Sequence, residues 1–360
     1  MSAQQELSKK RDRFYLVSHT RTGLTTKTTT TTTTTKTTTT PSPTTTTTTN
    51  TGTPTSATST TTATGTIPSA TVHPTATPGT WQTFTASGSS VQYKVYTPSK
   101  YSSSQKVPLI MMLHGCTQNM NIFSDSTQYA GLAEAQNFIV VFPSQSTSVA
   151  NSCWKWYDPT SQKRGGGDAA VLAGIITSVK GNGKWNIDNS RVYVGGLSAG
   201  AAMAAVMGAT YPDYFTAIAV GSGLEYGAGT SASTLSLTQG GPAPATQGQA
   251  AFNAMGSYAR SVPVLVFHGT GDYTVYPLNG DQVVEQYLVT DNLAAPNSGL
   301  NTAFGGGASS TDHGGQDITG STSKSSGSVS GGYTYTVYTW NDNAGARVQY
   351  YKIDTMVGFG

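Results

Sequence analysis

Arg191 to Met203 reads RVYVGGLSAGAAM, and the fold turns on how this stretch is read. RVYVG has the apolar, β-branched character of a buried strand. Ala199 to Ala209, AGAAMAAVMGA, is a run of small helix formers. Between them lies a G-x-S-x-G pentapeptide centred on Ser198. In a chain with 41 glycines the pentapeptide alone carries little weight. Its setting carries more, because a strand runs into the serine and a helix leaves it, as in a nucleophile elbow. Such a turn is sharp and strained, and it crowds the positions two before and two after the serine, which suits Gly196 and Gly200. A helix opening at Ala199 also aims backbone N–H groups and a positive dipole end at Ser198. The competing reading is a plain glycine-rich strand-to-helix turn.

Working outward, the same alternation recurs. Pro108–Leu113 (PLIMML), Phe138–Phe142 (FIVVF), Thr216–Val220 and Val262–Phe267 are short apolar runs that read as buried strands. Ser124–Gln136, the segment after Asp168 (with Asp168 as its cap) and Asp281–Thr290 read as helices. Apolar strands alternating with helices predict an α/β protein, with a mostly parallel sheet covered on both faces. VQYKVY at 91–96 predicts a hairpin with WQTFTA across the SGSS turn, and 333–340 predicts another with 347–353 around NDNAG. Gly227–Gly248 and Asn297–Gly332 are rich in Gly, Ser and Thr and read as surface excursions.

The first eighty residues differ in kind. Residues 1–24 form a tail, and 25–80 are mostly threonine with scattered proline, too poor in apolar surface to offset the entropy of ordering. That composition fits an O-glycosylated linker, leaving 81–360 as one domain. The net charge of +3 comes largely from Lys9, Lys10, Arg11, Arg13 and Arg21 in the tail. No basic stripe with interleaved aromatics marks the domain, which argues against nucleic acid as a partner. No apolar run reaches the roughly eighteen residues of a membrane span. The opening MSAQQELSKKRDRFYLVSHTRTGL lacks the apolar core of a signal peptide. A glycosylated linker without an export signal is contradictory, so the native N-terminus is expected to differ. Two cysteines, Cys116 and Cys153, are either free thiols or a disulfide, and the linker favours the disulfide.

A nucleophilic serine needs a base and an acid to orient it. In α/β-hydrolases the chain order is serine, acid, histidine. Asp272 fits the second place, in the loop HGTGDYTVYP after the strand VPVLVF, although a turn-capping role would explain it too. His268, four residues earlier, reads as a strand-end packing residue. An oxyanion hole needs two N–H donors. Ala199 supplies one, and the loop His114-Gly115-Cys116-Thr117 the other, with Cys116 favoured over Thr117. His114 reads as the residue that holds this loop.

LHGCTQN, NSCWKWYDP, RGGGDAAVLAGII, VYVGGLSAGAAM, YPDYF and VLVFHGTGDYTVYPLNGDQVVEQYL together resemble the polyhydroxybutyrate-depolymerase-like esterases. That group includes the fungal acetyl xylan and feruloyl esterases of carbohydrate esterase family 1. The resemblance covers Trp81 to the C-terminus and implies an α/β-hydrolase fold, Ser198 as nucleophile, Asp272 as triad acid and a Cys116–Cys153 disulfide beside the site. It makes Trp154 and Trp156 candidates for a substrate wall, against the alternative of core packing. No metal or organic cofactor is implied. The threonine-rich segment resembles the linker that joins such domains to a cellulose-binding module.

The pattern breaks at the base. The family carries its histidine after the late hairpin, in a stretch like Gly-Met-Gly-His-Ala-Trp. Here Met356 is followed by Val357 and Gly358, and no histidine follows His313. Of the five histidines, His19 and His73 are in the tail and linker, and His114 and His268 sit in motif loops. His313, in STDHGG, has the right chain order but a loose-looking setting. A C-terminus truncated or mis-spliced after Met356 accounts for this better, and a chain lacking the base is expected to be severely impaired. The expected function is a secreted, monomeric serine esterase that removes acetyl or feruloyl groups from plant cell-wall xylan, with that acylated polysaccharide as its partner. A polyhydroxyalkanoate-type polyester is the runner-up substrate, and a non-catalytic carbohydrate- or ester-binding protein is the alternative of another class.

Overall fold

The computed structural model describes residues 78–358 apart from 230–233 and 314. The tail and nearly all of the linker, with its expected glycosylation, lie outside the described residues. The core is a ten-stranded sheet in the order β1-β2-β4-β3-β5-β6-β7-β12-β11-β10. Its strands are β1 (Thr80–Thr85), β2 (Gln92–Thr97), β3 (Val107–Leu113), β4 (Ile139–Ser144), β5 (Ile187–Leu197), β6 (Ala217–Gly221), β7 (Val264–Gly269), β10 (Ser323–Ser328), β11 (Thr334–Asp342) and β12 (Gly345–Ile353). A small separate pair, β8 (Gly305–Gly307) and β9 (Gln316–Thr319), lies within the second excursion.

From β4 through β3, β5, β6 and β7 to β12 every neighbour is parallel. Antiparallel strands flank both ends: β1 and β2 pair as expected, with Trp81 opposite Tyr96, and β11 pairs with both β12 and β10. Chain order reverses at β3, whose connections lead away to β4 on one side while β5 lies on the other. The crevice above such a reversal, at the C-terminal ends of the strands, is where ligands bind in open α/β sheets. Leu113 is level with Gly196 there, so the loops after β3 and β5 meet.

Helices cover the sheet in two layers. On one face α1 (Met120–Thr127) and α2 (Tyr129–Gln136) close a small core of Tyr96, Met112, Phe123, Val140 and Phe142. On the other, α3 (Gly167–Gly181), α4 (Ala199–Thr210), α6 (Pro244–Met255) and α7 (Pro277–Ala294) pack onto the larger core around Leu109, Met111, Val194, Val220 and Val266. All twelve residues of α4 are buried, which explains a sequence with no polar face. The short α5 (Thr234–Gln239) lies within the first excursion.

Three expectations need correcting. The helix expected over 124–136 is two helices, because Gln128 takes a left-handed φ of 55° between them. Asn119 starts the first by accepting the N–H groups of Asn121 and Ile122 on its side chain. Asp168 is not the cap of α3; Gly166 is, and the Asp168 carboxylate is turned inward to other partners. The excursion at 297–332 contains strands, one of them β10, SKSSGS, whose exposed edge position removes any apolar alternation. A polar edge strand carrying lysine also discourages pairing with other chains. Among the described residues no helix is long and apolar enough to cross a membrane.

Leu109 is fully buried on the central strand. Leu109→Ala is expected to lower the unfolding free energy by about 2–5 kcal/mol, read as a lower urea midpoint at unchanged slope.

Candidate active site

The turn after β5 has the geometry that its sequence requires. Ser198 stands at φ 53°, ψ −120°, a region that non-glycine residues rarely enter. Its N–H donates to the Gly221 carbonyl at 2.9 Å, the last rung of the β5–β6 ladder. A Cβ on Gly196 would lie 2.5 Å from the Gly200 carbonyl carbon and 2.7 Å from the Leu113 oxygen. One on Gly200 would run into the Leu113 oxygen and stand 2.5 Å from that of His114. Both glycines are therefore forced by backbone packed against backbone. Ala199 is the first residue of α4, so its N–H has no acceptor four residues back in the helix.

Across from Ser198 is the turn His114–Gln118. A Cβ on Gly115 would stand 3.5 Å from the Ser198 Cβ. The Gln145 N–H donates to His114 Nε2 at 3.0 Å, so the ring proton is on Nδ1. Nδ1 then donates to the Gly115 carbonyl at 2.7 Å, and the Gln118 N–H donates to the same oxygen at 3.3 Å. Burial holds the His114 pKa below its ordinary value, which keeps the ring neutral. A planar trans peptide points its N–H opposite its C=O, so fixing the Gly115 carbonyl also fixes the Cys116 N–H. Among the described residues that N–H has no acceptor. Asp168 reinforces the arrangement, accepting from the Lys155 N–H at 2.8 Å and the Gln145 side-chain amide at 2.7 Å.

Cys116 and Cys153 form a disulfide, with Cα atoms 4.3 Å apart. It ties the turn to residues 151–153, where the Asn151 carbonyl accepts the Thr117 N–H at 2.6 Å. The expected substrate wall is corrected by the burial of both tryptophans. Trp154 is fully enclosed and Trp156 nearly so, which closes them to a ligand. Trp154 instead packs behind His114, ring centroids 5.2 Å apart.

Asp272 is on the loop after β7, two strands away from Ser198. Its Oδ1 accepts the Thr274 and Val275 N–H groups at 3.0 and 2.9 Å, which is the turn-capping pattern. Its Oδ2 is buried without a hydrogen-bond partner. His268 Nε2 is 3.7 Å from that oxygen and donates instead to the Val275 carbonyl at 2.8 Å. His268 is wholly buried, and burial lowers its pKa, so it holds the loop as a neutral ring. Gly358 lies against the carboxylate, since a Cβ there would be 2.5 Å from Oδ2. His313 reaches the same loop but packs on Tyr276 and Tyr273, centroids 4.1 and 4.5 Å apart. Sequence reasoning missed Asp168, Gln145 and Gln118. Asp168 was read only as a helix cap, since a buried acceptor at a helix start has the same local sequence, and the other two carry no pattern of their own. Among the described residues no three His, Cys, Asp or Glu side chains gather as a metal site needs.

A strained serine at a strand-to-helix turn, the Ala199 and Cys116 N–H groups near that turn and a buried acid after β7 are the candidate site residues that the α/β-hydrolase fold places on the loops after β3, β5 and β7. Over residues 91–301 the chain matches the family described as Esterase PHB depolymerase, and it belongs to that family. Poly(3-hydroxyalkanoate) depolymerase C of Paucimonas lemoignei is 39% identical over 186 residues, 50% of this chain and 44% of that protein. Acetylxylan esterase A of Talaromyces purpureogenus is 32% identical over 206 residues, 54% of this chain and 52% of the relative. The chain thus spans about half the length of these two curated relatives. The solved acetyl xylan esterase from Aspergillus awamori matches with a TM-score of 0.61 over 78% of this chain and 94% of its own, at 24% identity, and shares the fold.

Gly200→Ala forces a methyl group into the Leu113 backbone. It is expected to cost about 1–3 kcal/mol by overpacking, measured as a lower denaturant midpoint.

Proposed function

We propose that this chain is a serine carboxylesterase that removes acyl groups from plant cell-wall polysaccharide, with acetylated xylan as the leading substrate. Ser198 attacks the ester carbonyl, and the alcohol portion leaves as the acyl-enzyme forms. The Cys116 and Ala199 N–H groups receive the negative charge on the carbonyl oxygen. Water then attacks the acyl-enzyme and releases the acid. Asp272 is the acid that would orient a base, since its Oδ2 has no hydrogen-bond partner and could accept that base's N–H. The observation that carries this reading is the elbow: a strained serine faces a peptide whose N–H is held without an acceptor. The acetylxylan esterase relatives supply the substrate class. The greater identity to a poly(3-hydroxyalkanoate) depolymerase supports a second reading, with an aliphatic polyester as substrate. Action outside the cell is supported by the disulfide, which persists in oxidising surroundings.

The base is placed by the resemblance at position 358, which is glycine here. With glycine at that position, turnover is expected to be slow. Ser198→Ala is expected to remove what hydrolysis there is of acetylated xylan, methyl ferulate and polyhydroxybutyrate; unchanged rates would reject the serine mechanism. The best of the three substrates by kcat/KM sorts acetyl, feruloyl and polyester readings.

Gly358→His tests the acid–base pair. The last residues must shift outward to admit a side chain beside Asp272. Once admitted, a base is expected to raise kcat by about a hundredfold or more, an increase that Asp272→Asn cancels. A folded Gly358→His chain with no increase would support the non-catalytic, binding alternative.

A further inference from the structure

The turn LHGCTQN contains one side chain that the proposed chemistry leaves unused. Gln118 Oε1 accepts the Gly115 N–H at 2.9 Å, while the Gln118 N–H donates back to the Gly115 carbonyl at 3.3 Å. Both polar groups of Gly115 are thus held by one residue. The position a Cβ on Gly115 would occupy is 3.3 Å from Gln118 Oε1 and 3.5 Å from the Ser198 Cβ. The carboxamide therefore flanks the same point as the candidate nucleophile.

We propose that Gln118 is a positioning residue of the oxyanion hole, acting through the two peptides that flank Gly115. Glycine is the residue least able to hold a conformation of its own. His114 and the Gln118 backbone N–H fix the Gly115 carbonyl, but they leave the peptide before Gly115 unheld at its N–H. The Gln118 side chain pins the preceding peptide through its N–H, so the turn cannot flip without breaking bonds at both ends. The Cys116 N–H is then aimed before the substrate arrives, and no reorganisation is needed as charge develops. This inference rests on the reading of Ser198 and Cys116 given above, and it adds a role outside the triad.

The test uses the full chain, with p-nitrophenyl acetate as substrate and thermal midpoints alongside. Gln118→Met keeps the length and volume of the side chain and removes the acceptor. It is expected to lower the Ser198-dependent kcat by about tenfold to a hundredfold, on the scale of a weakened oxyanion donor, with KM and midpoint little changed. Gln118→Glu keeps an oxygen for the Gly115 N–H and is expected to recover most of that loss. Three results would overturn the proposal: an unchanged kcat in Gln118→Met, a Gln118→Glu chain as slow as Gln118→Met, or a loss of kcat that follows a fall in the midpoint. Ser198→Ala is the control. Full hydrolysis in that variant would overturn the serine reading and this inference together, whereas failure of the Gln118 variants alone leaves the serine reading standing.

Discussion

The site depends on one backbone constraint, the close approach of the β5–α4 turn to the end of β3. Ser198 holds a left-handed φ because its N–H is bonded to Gly221 and its neighbours at 196 and 200 are pressed against Leu113 and His114. Strain of this kind, about 1–3 kcal/mol, persists only where the surroundings over-determine it. Here the parallel β3–β5 pairing and the fully buried α4 do so. The same contact brings the His114–Gln118 turn opposite the serine, so Ser198 and the candidate oxyanion donors are positioned by a single packing event.

A polar chain then sets the direction of one N–H group. Asp168 on α3 holds Gln145, the Gln145 N–H fixes the tautomer of His114, and His114 Nδ1 fixes the Gly115 carbonyl. Each link is buried or nearly so, where a hydrogen bond is stronger and its loss more costly than in water. The disulfide and Trp154 close the loop from behind. The acid side is built differently, on a capped turn: Asp272 spends one oxygen on its own loop and keeps the other free.

Most of this was legible in the residues. The strands that carry the site are short apolar runs, and the parallel sheet follows from their alternation with helices. Ser198, Asp272 and the Cys116 and Ala199 amides could be named as candidates before any geometry was known, and the favoured Cys116–Cys153 pairing is the disulfide that forms. The errors share a cause. Asp168 looked like a helix cap because a cap and a buried acceptor at a helix start have the same local sequence. Trp154 and Trp156 looked like cleft residues because a side chain's chemistry does not say which way it faces. β10 was missed because an exposed edge strand has no buried face to impose alternation.

By itself, the sequence determined the class of fold and singled out Ser198 as the candidate nucleophile, because a strained elbow needs glycine at two fixed positions and an apolar strand before it. It also places glycine, not histidine, at position 358. The tertiary structure alone decided which groups meet. It brought Gly115 opposite Ser198, Gly358 against Asp272, and His313 onto two tyrosines rather than onto the acid. The orientation of a peptide N–H and the pairing of a buried carboxylate depend on contacts between segments up to about eighty residues apart, and no local pattern encodes them.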